Sequence, residues 1–187
     1  MKIALFYYDG FAEFEIVLVG LIFHHEHEII SVALENREYK SEECQRFCID
    51  QTIEDIDVDS IDLLVVPGGE PEALVNNLEL KGFVESLVAR NKKVAGICGG
   101  AGLLAGLGVL KGKRCTGLTS GQDPDIPEYQ YFSESIFLDD HVVVDGNIIT
   151  AQGRAYVEFA VELARQMGLC ETEEEYQAGV EWFKNVR

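Results

Sequence analysis

Cys98 stands between Gly96 and Gly100, directly after the apolar run Val94-Ala95-Gly96-Ile97 and directly before Gly99-Gly100-Ala101-Gly102-Leu103-Leu104-Ala105. The run reads as a buried strand and the stretch that follows as a helix, so the cysteine falls at a strand-to-helix turn. Gly-x-Cys-x-Gly at such a turn is a nucleophile elbow, in which glycines allow close helix–strand packing around a strained, presented side chain. A helix starting just past the sulfur aims free N–H groups and its positive dipole end at it, and both favour the thiolate. The chemistry on offer is nucleophilic addition or reversible oxidation of the sulfur. Free cysteine is also common as a small core residue, so the assignment depends on what the rest of the chain brings to the sulfur.

Two further groups have types and spacing suited to that sulfur. Pro67-Gly68-Gly69 follows another branched apolar run, and amides exposed there, with the N–H of Gly99, are expected to hold an oxyanion. A tight turn needing positive φ is the competing explanation for Gly68-Gly69. Glu13 and Glu15 lie just past the first strand end. Two residues apart do not share a helix face, so one is expected to point into the crevice and the other out. His24, His25 and His27 form a separate cluster. His24 and His27 have metal-ligand spacing, but no third ligand is evident, so no metal is expected.

The elements that must position these residues fit one domain. The chain of 187 residues is 47% hydrophobic and 26% charged, within the range of globular proteins. Its formal net charge is −18. That excludes nucleic acid and anionic membrane surfaces as principal partners, since both need a basic footprint. No apolar run approaches the length of a membrane-spanning helix, and the N-terminus enters a strand pattern at once, so a cytoplasmic protein is expected. Five cysteines without a close-set framework suggest reduced thiols. Cys44 and Cys48, spaced CxxxC, read as structural.

Strand and helix patterns alternate. Strands are predicted over residues 2–8, 28–34, 61–66 and 94–97, and helices over 11–23, 78–91 and from Gly99 to about Leu107. Phe11, Phe14, Leu18, Leu21 and Ile22 would be the core-facing stripe of the first helix. Residues 35–54 read as an excursion with short extended pieces, 113–116 as a short strand, and 121–128 as a loop. Residues 141–144 and 148–150 read as two strands joined by Asp145-Gly146-Asn147. Helices follow over 154–167, ended by Gly168, and over 172–184, with Trp182 and Phe183 docking on the core over a dimer edge. This alternation specifies a doubly wound, mostly parallel sheet with helices on both faces. Ligands of such sheets sit beyond the carboxyl ends of the strands, where Tyr8-Asp9-Gly10, Pro67-Gly68-Gly69 and Ile97-Cys98-Gly99 would converge.

Asp9-Gly10-Phe11-Ala12-Glu13-Phe14-Glu15, Pro67-Gly68-Gly69, Ala95-Gly96-Ile97-Cys98-Gly99-Gly100 and Ile149-Thr150-Ala151-Gln152-Gly153 together resemble the ThiJ/PfpI superfamily in order and spacing up to about residue 167. The resemblance implies a single-domain, flavodoxin-like α/β/α sandwich related to class I glutamine amidotransferases, usually a homodimer acting on a small molecule without a cofactor. It implies that Cys98 is the reactive nucleophile and that Glu15 hydrogen-bonds its sulfur. The chain departs from the superfamily's variants in telling places. Protease-like members carry His after the nucleophile, where this chain has Gly99. Glyoxalase-type members often carry a His after the next strand, and Cys115-Thr116-Gly117-Leu118 has none. Isonitrile hydratases have Asp near the position of Glu15 and Thr at that of Gly99.

Glu15 is therefore the acid or base expected near Cys98, with Thr116 and Tyr8 as hydroxyl support. An ionised carboxylate would repel a thiolate, so Glu15 is expected to be mostly protonated at neutral pH and to donate to the sulfur. Two function classes follow. One is an enzyme acting on reactive carbonyls or amide-like compounds, glyoxalase-, deglycase- or amidase-like, with the amides of Gly68, Gly69 and Gly99 and the hydroxyl of Thr116 binding substrate. The other is a non-catalytic stress or redox sensor acting through Cys98 oxidation.

Overall fold

The computed structural model describes residues 1–118 and 127–184; of the loop expected over 121–128, residues 121–126 lie outside them. A seven-stranded sheet has the order β10-β11-β7-β6-β1-β2-β5. Its strands are β1 (Lys2–Phe6), β2 (Glu28–Ala33), β5 (Gln51–Thr52), β6 (Leu63–Val66), β7 (Lys93–Ile97), β10 (Val142–Asp145) and β11 (Ile148–Ala151). All neighbours pair in parallel except β10 with β11. That antiparallel pair turns through Gly146, at φ 64°, as the Asp-Gly-Asn signal predicts. The excursion after β2 contains the hairpin β3 (Tyr39–Lys40) and β4 (Arg46–Phe47), and β8 (Arg114–Cys115) pairs with β9 (Ile136–Phe137).

β6 is buried from end to end, with Leu63, Leu64, Val65 and Val66 all in the core. A parallel strand covered on both faces requires such a continuous apolar run. Right-handed crossovers put α1 (Val17–Phe23) on one face of the sheet and α2 (Leu78–Ala89) on the other, because the chain moves in opposite directions from β1 and from β6. α3 (Gly99–Gly106) leads from β7 toward β11 and so shares the face of α2, while α4 (Tyr156–Gln166) packs on α1 and carries α5 (Glu173–Lys184) outside it. Val157, Ala160, Val161 and Ala164 form the buried stripe predicted for α4.

The first helix differs from expectation. Residues 11–23 are not one helix: Glu13–Glu15 form a 3₁₀ turn, and α1 begins only at Val17. The tighter turn shifts the phase, so Phe11, Ile16, Val19 and Phe23 are buried while Phe14, Val17 and Leu21 are exposed. Those last three lie at i, i+3 and i+7, an outward apolar stripe. Trp182 also departs from the reading. It is 74% exposed and packs edge-on against Phe183 rather than into the core. All five cysteines are free, and Cys44 and Cys48 are exposed thiols rather than structural ones.

Candidate active site at the carboxyl ends of the central strands

β1 is the point where the order reverses, with β2 on one side and β6 on the other. The crevice of an open α/β sheet forms at such a reversal. The three strand ends meet there. Phe11 bridges Gly69, the Ala12 amide donates to the Gly68 carbonyl at 2.8 Å, and Cys98 follows β7 at the amino end of α3.

Cys98 has φ 52° and ψ −124°, a conformation costing of order 1–3 kcal/mol in a residue with a side chain. The surroundings hold it there. Its amide donates to Ala151 on β11 at 2.9 Å, and its carbonyl accepts from Ala101 at 3.1 Å at the start of α3. Gly100 lets α3 approach β6, since a Cβ there would strike the Val66 and Pro67 carbonyls. This is the elbow inferred from Gly-x-Cys-x-Gly.

Glu15 is 1% exposed and in hydrogen-bond contact with the Cys98 sulfur. The Gly68 amide donates to its Oε2 at 2.6 Å. The turn carrying Glu15 is itself anchored, because the Glu43 carboxylate accepts from the amides of Glu13 and Phe14 at 3.1 Å each. Of the two acids, Glu15 points inward and Glu13 does not share its burial. No sequence pattern marked Glu43, whose role exists only because the β3–β4 turn folds back over residues 13–14. Glycine is required on both sides of the pair. A Cβ at Gly68 would sit 2.5 Å from Glu15 Oε2, and one at Gly153 would sit 3.0 Å from Cys98 Sγ and 2.8 Å from Glu15 Oε1.

Burial raises both ionisable groups. Desolvation lifts Glu15 to about 7, opposed by the Gly68 and Cys98 hydrogen bonds. Desolvation and then the Glu15 charge push Cys98 up to about 12, while the Gly99 amide pulls it down. The helix-end effect expected from sequence is present but outweighed. Burial thus opposes ionisation of both groups, and Glu15 keeps its proton far above the usual carboxylate range, in the direction expected from the sequence.

The other expected residues separate. Gly69 and Gly99 line a cavity of about 170 Å³ beside Cys98. Gly68 is in place, but its amide is taken by Glu15 and is not free for an oxyanion. Thr116 is fully buried and does not line the cavity; its amide donates to Thr150 Oγ1 at 2.9 Å, and its hydroxyl has no partner among the described residues. A hydroxyl in the strand after the elbow does not predict a side chain in the pocket, because alternate strand residues face opposite ways. Tyr8 donates to the Pro67 and Gly68 carbonyls at 3.1 and 2.5 Å, so it braces the glycine turn instead of touching the sulfur. The cavity walls missed by sequence reasoning are Glu72, Val75, Leu103, Leu118 and Tyr131; no motif links residues so far apart in the chain.

The histidines form no metal centre. Among the described residues no group of His, Cys, Asp and Glu is arranged to hold a metal ion. His24 Nδ1 instead lies 2.8 Å from the Leu21 carbonyl, and His141 lies 3.5 Å from Glu158. No helix among the described residues is long and apolar enough to cross a membrane.

A cysteine elbow joined to a buried glutamate from the first crossover, on a sheet of this order, defines a class of α/β proteins. The DJ-1/PfpI family model matches residues 1–166, and the chain belongs to that family. Among its relatives, "Deglycase TK1284" of Thermococcus kodakarensis is 28% identical over 154 residues, covering 81% of this chain and 90% of the relative. "DJ-1 protein homolog E" of Arabidopsis thaliana is 36% identical over 125 residues, which is 66% of this chain but only 30% of that protein. The crystal structure of the DJ-1 superfamily protein Atu0886 from Agrobacterium tumefaciens superposes with a TM-score of 0.81 at 29% identity, covering 99% of this chain and 98% of that one. The mostly parallel, flavodoxin-like fold expected from sequence is thus the fold of this family.

Proposed function

We propose that the protein is a cysteine-dependent enzyme acting on small reactive carbonyl compounds, with Cys98 as nucleophile and Glu15 as acid–base. The observation that carries this reading is the buried Cys98–Glu15 contact at the edge of a cavity lined by Gly69 and Gly99. Relatives named as deglycases support a carbonyl adduct as the substrate. In the Glu15 carboxylate form, Sγ adds to an aldehyde carbon while Glu15 takes the thiol proton. The new oxyanion accepts hydrogen bonds from the Gly69 and Gly99 amides and takes that proton back from Glu15, giving a hemithioacetal and restoring the carboxylate. With an α-oxoaldehyde, Glu15 next removes the proton from the former aldehyde carbon to give an enediol, the hydroxyl proton of the first carbon passes to the oxygen of the second, and Glu15 returns its proton to the second carbon, leaving a thioester. Water hydrolyses it to a 2-hydroxy acid and free thiol, so the sum is substrate plus water with no external oxidant.

Hydroxy-acid formation from methylglyoxal is the direct test. Cys98→Ser is expected to lower kcat/KM at least a thousandfold. Because the base is the carboxylate, the wild-type rate rises with pH through about 7 and then levels off. Absence of turnover with methylglyoxal and with glycated thiols or amines alike would sink the reading. The redox-sensor alternative is the weaker one: peroxide attacks thiolates, and the buried Cys98 thiol is held up to about 12.

The partner we assign is a second copy of the chain, on the outward stripe of Phe14, Val17 and Leu21. It flanks Glu15 on the same turn and helix, and Phe14 already packs against Tyr156 of α4 at 5.7 Å between ring centres. Light scattering on the purified protein is expected to give twice the 20.8 kDa chain mass. Leu21→Glu, at an exposed site, should shift it to the monomer, and a wild-type monomer would remove the assignment.

A further inference from the structure

The cavity beside Cys98 carries charge information that the reactive pair does not. Its wall is apolar: Val75, Leu103 and Leu118, with the Tyr131 ring. Among the described residues Glu72 is the one charged side chain lining it. Glu72 lies in the first turn of the 3₁₀ segment Glu72–Leu74, is exposed to solvent, and makes no ion pair among the described residues. Lys, Arg and His are absent from the described lining, and the sequence between Leu118 and Tyr131 contains none of the three. An anionic substrate therefore meets the Glu72 carboxylate and finds no counter-charge among the described lining residues.

The size of the space restricts the substrate further. About 170 Å³ is close to the roughly 150 Å³ of an apolar cavity that accepts benzene. A two- or three-carbon aldehyde would leave much of the wall in contact with water. A planar ring or branched chain would displace that water against Val75, Leu103 and Leu118.

We propose that this site selects uncharged or cationic carbonyl compounds bearing an apolar group of about phenyl size and rejects anionic ones, with Glu72 as the residue that discriminates by charge. The proposal rests on the reading of Cys98 as the reactive group, but its test needs no turnover. Cys98 in the full-length protein is alkylated with iodoacetamide, iodoacetate and 2-iodo-N-phenylacetamide, and the rate at Cys98 is read by peptide mass spectrometry and divided by the rate with free cysteine. The normalised iodoacetate rate is expected to fall at least tenfold below that of iodoacetamide. The normalised N-phenyl rate is expected to exceed it at least threefold.

Glu72→Gln should recover at least threefold of the iodoacetate rate, and Glu72→Lys should favour iodoacetate. Glu174→Gln, which changes the net charge equally from exposed α5, should leave the ratios unchanged. Val75→Phe, which fills the cavity, should abolish the N-phenyl advantage. Equal normalised rates for the three reagents, or the same response to Glu174→Gln as to Glu72→Gln, would overturn the proposal. A protein that shows this selectivity but turns over no aldehyde would instead defeat the proposed function and leave the binding specificity standing.

Discussion

Glu15→Gln is expected to make the protein more stable at pH 8 while removing its activity. Desolvation raises the Glu15 carboxyl from 4.5 to about 7 in the folded chain. The folded state thus holds this proton more tightly than the unfolded chain. The stability it contributes is fully present below 4.5 and is lost as pH rises through about 7. Above that, a buried carboxylate destabilises the fold relative to a neutral isostere by the difference in pKa, about 3 kcal/mol at 1.36 kcal/mol per unit. Glutamine keeps the shape. Its carbonyl oxygen can accept from the Gly68 amide, and its NH₂ faces the Cys98 sulfur.

For a chain of this size 1 kcal/mol moves Tm by about 2–4 °C, so the variant should melt roughly 6–12 °C higher at pH 8. At pH 4.5 the two proteins should nearly coincide. The same change removes the base, so methylglyoxal turnover should fall at least a hundredfold and lose its pH dependence near 7. Thermal unfolding at the two pH values decides the matter. An equal difference at both would show that Glu15 is not ionising in the folded protein.

The second large effect is expected at Gly153. A methyl group there would lie 3.0 Å from the Cys98 sulfur and 2.8 Å from the Glu15 carboxyl. Its φ lies outside the positive region, so Gly153→Ala is a steric test free of backbone strain. The neighbours are fixed: the carboxyl is tied to the Gly68 amide, and the sulfur to an elbow anchored on Ala151. Overpacking of this kind costs about 1–3 kcal/mol, and relief comes by pushing sulfur and carboxyl apart. Because proton transfer requires that contact, alkylation of Cys98 at pH 8 and methylglyoxal turnover should both drop at least a hundredfold, while the chain still folds. Wild-type rates in Gly153→Ala would mean that the Cys98–Glu15 contact is unimportant for reactivity.

Much of this site could be read from the chain because its parts are local. An apolar run, a cysteine framed by glycines and a small-residue helix announce an elbow wherever they occur. The alternation of strands with helices, together with the handedness of crossovers, leaves few ways to arrange the strand ends, so the meeting of residues 8–10, 67–69 and 97–99 follows from order alone. The 3₁₀ turn at Glu13–Glu15 escaped such reading because helical periodicity does not register one tightened turn. The resulting phase shift placed Phe14 and Leu21 outside and Phe23 inside.

The chain by itself determined the sheet and the cysteine at its elbow, since each depends on residue type and nearest neighbours, while the choice of Glu15 over Glu13 came from the family resemblance. Tertiary structure decided how the groups are used. It gave the Gly68 amide to Glu15, turned Thr116 away from the cavity, folded Glu43 back over the 3₁₀ turn and assembled the apolar wall with Glu72 at its edge. It also set burial against the thiolate. A helix end favouring thiolate can be inferred from sequence, but the opposing loss of water depends on everything packed around the pair, and here that loss is the larger effect.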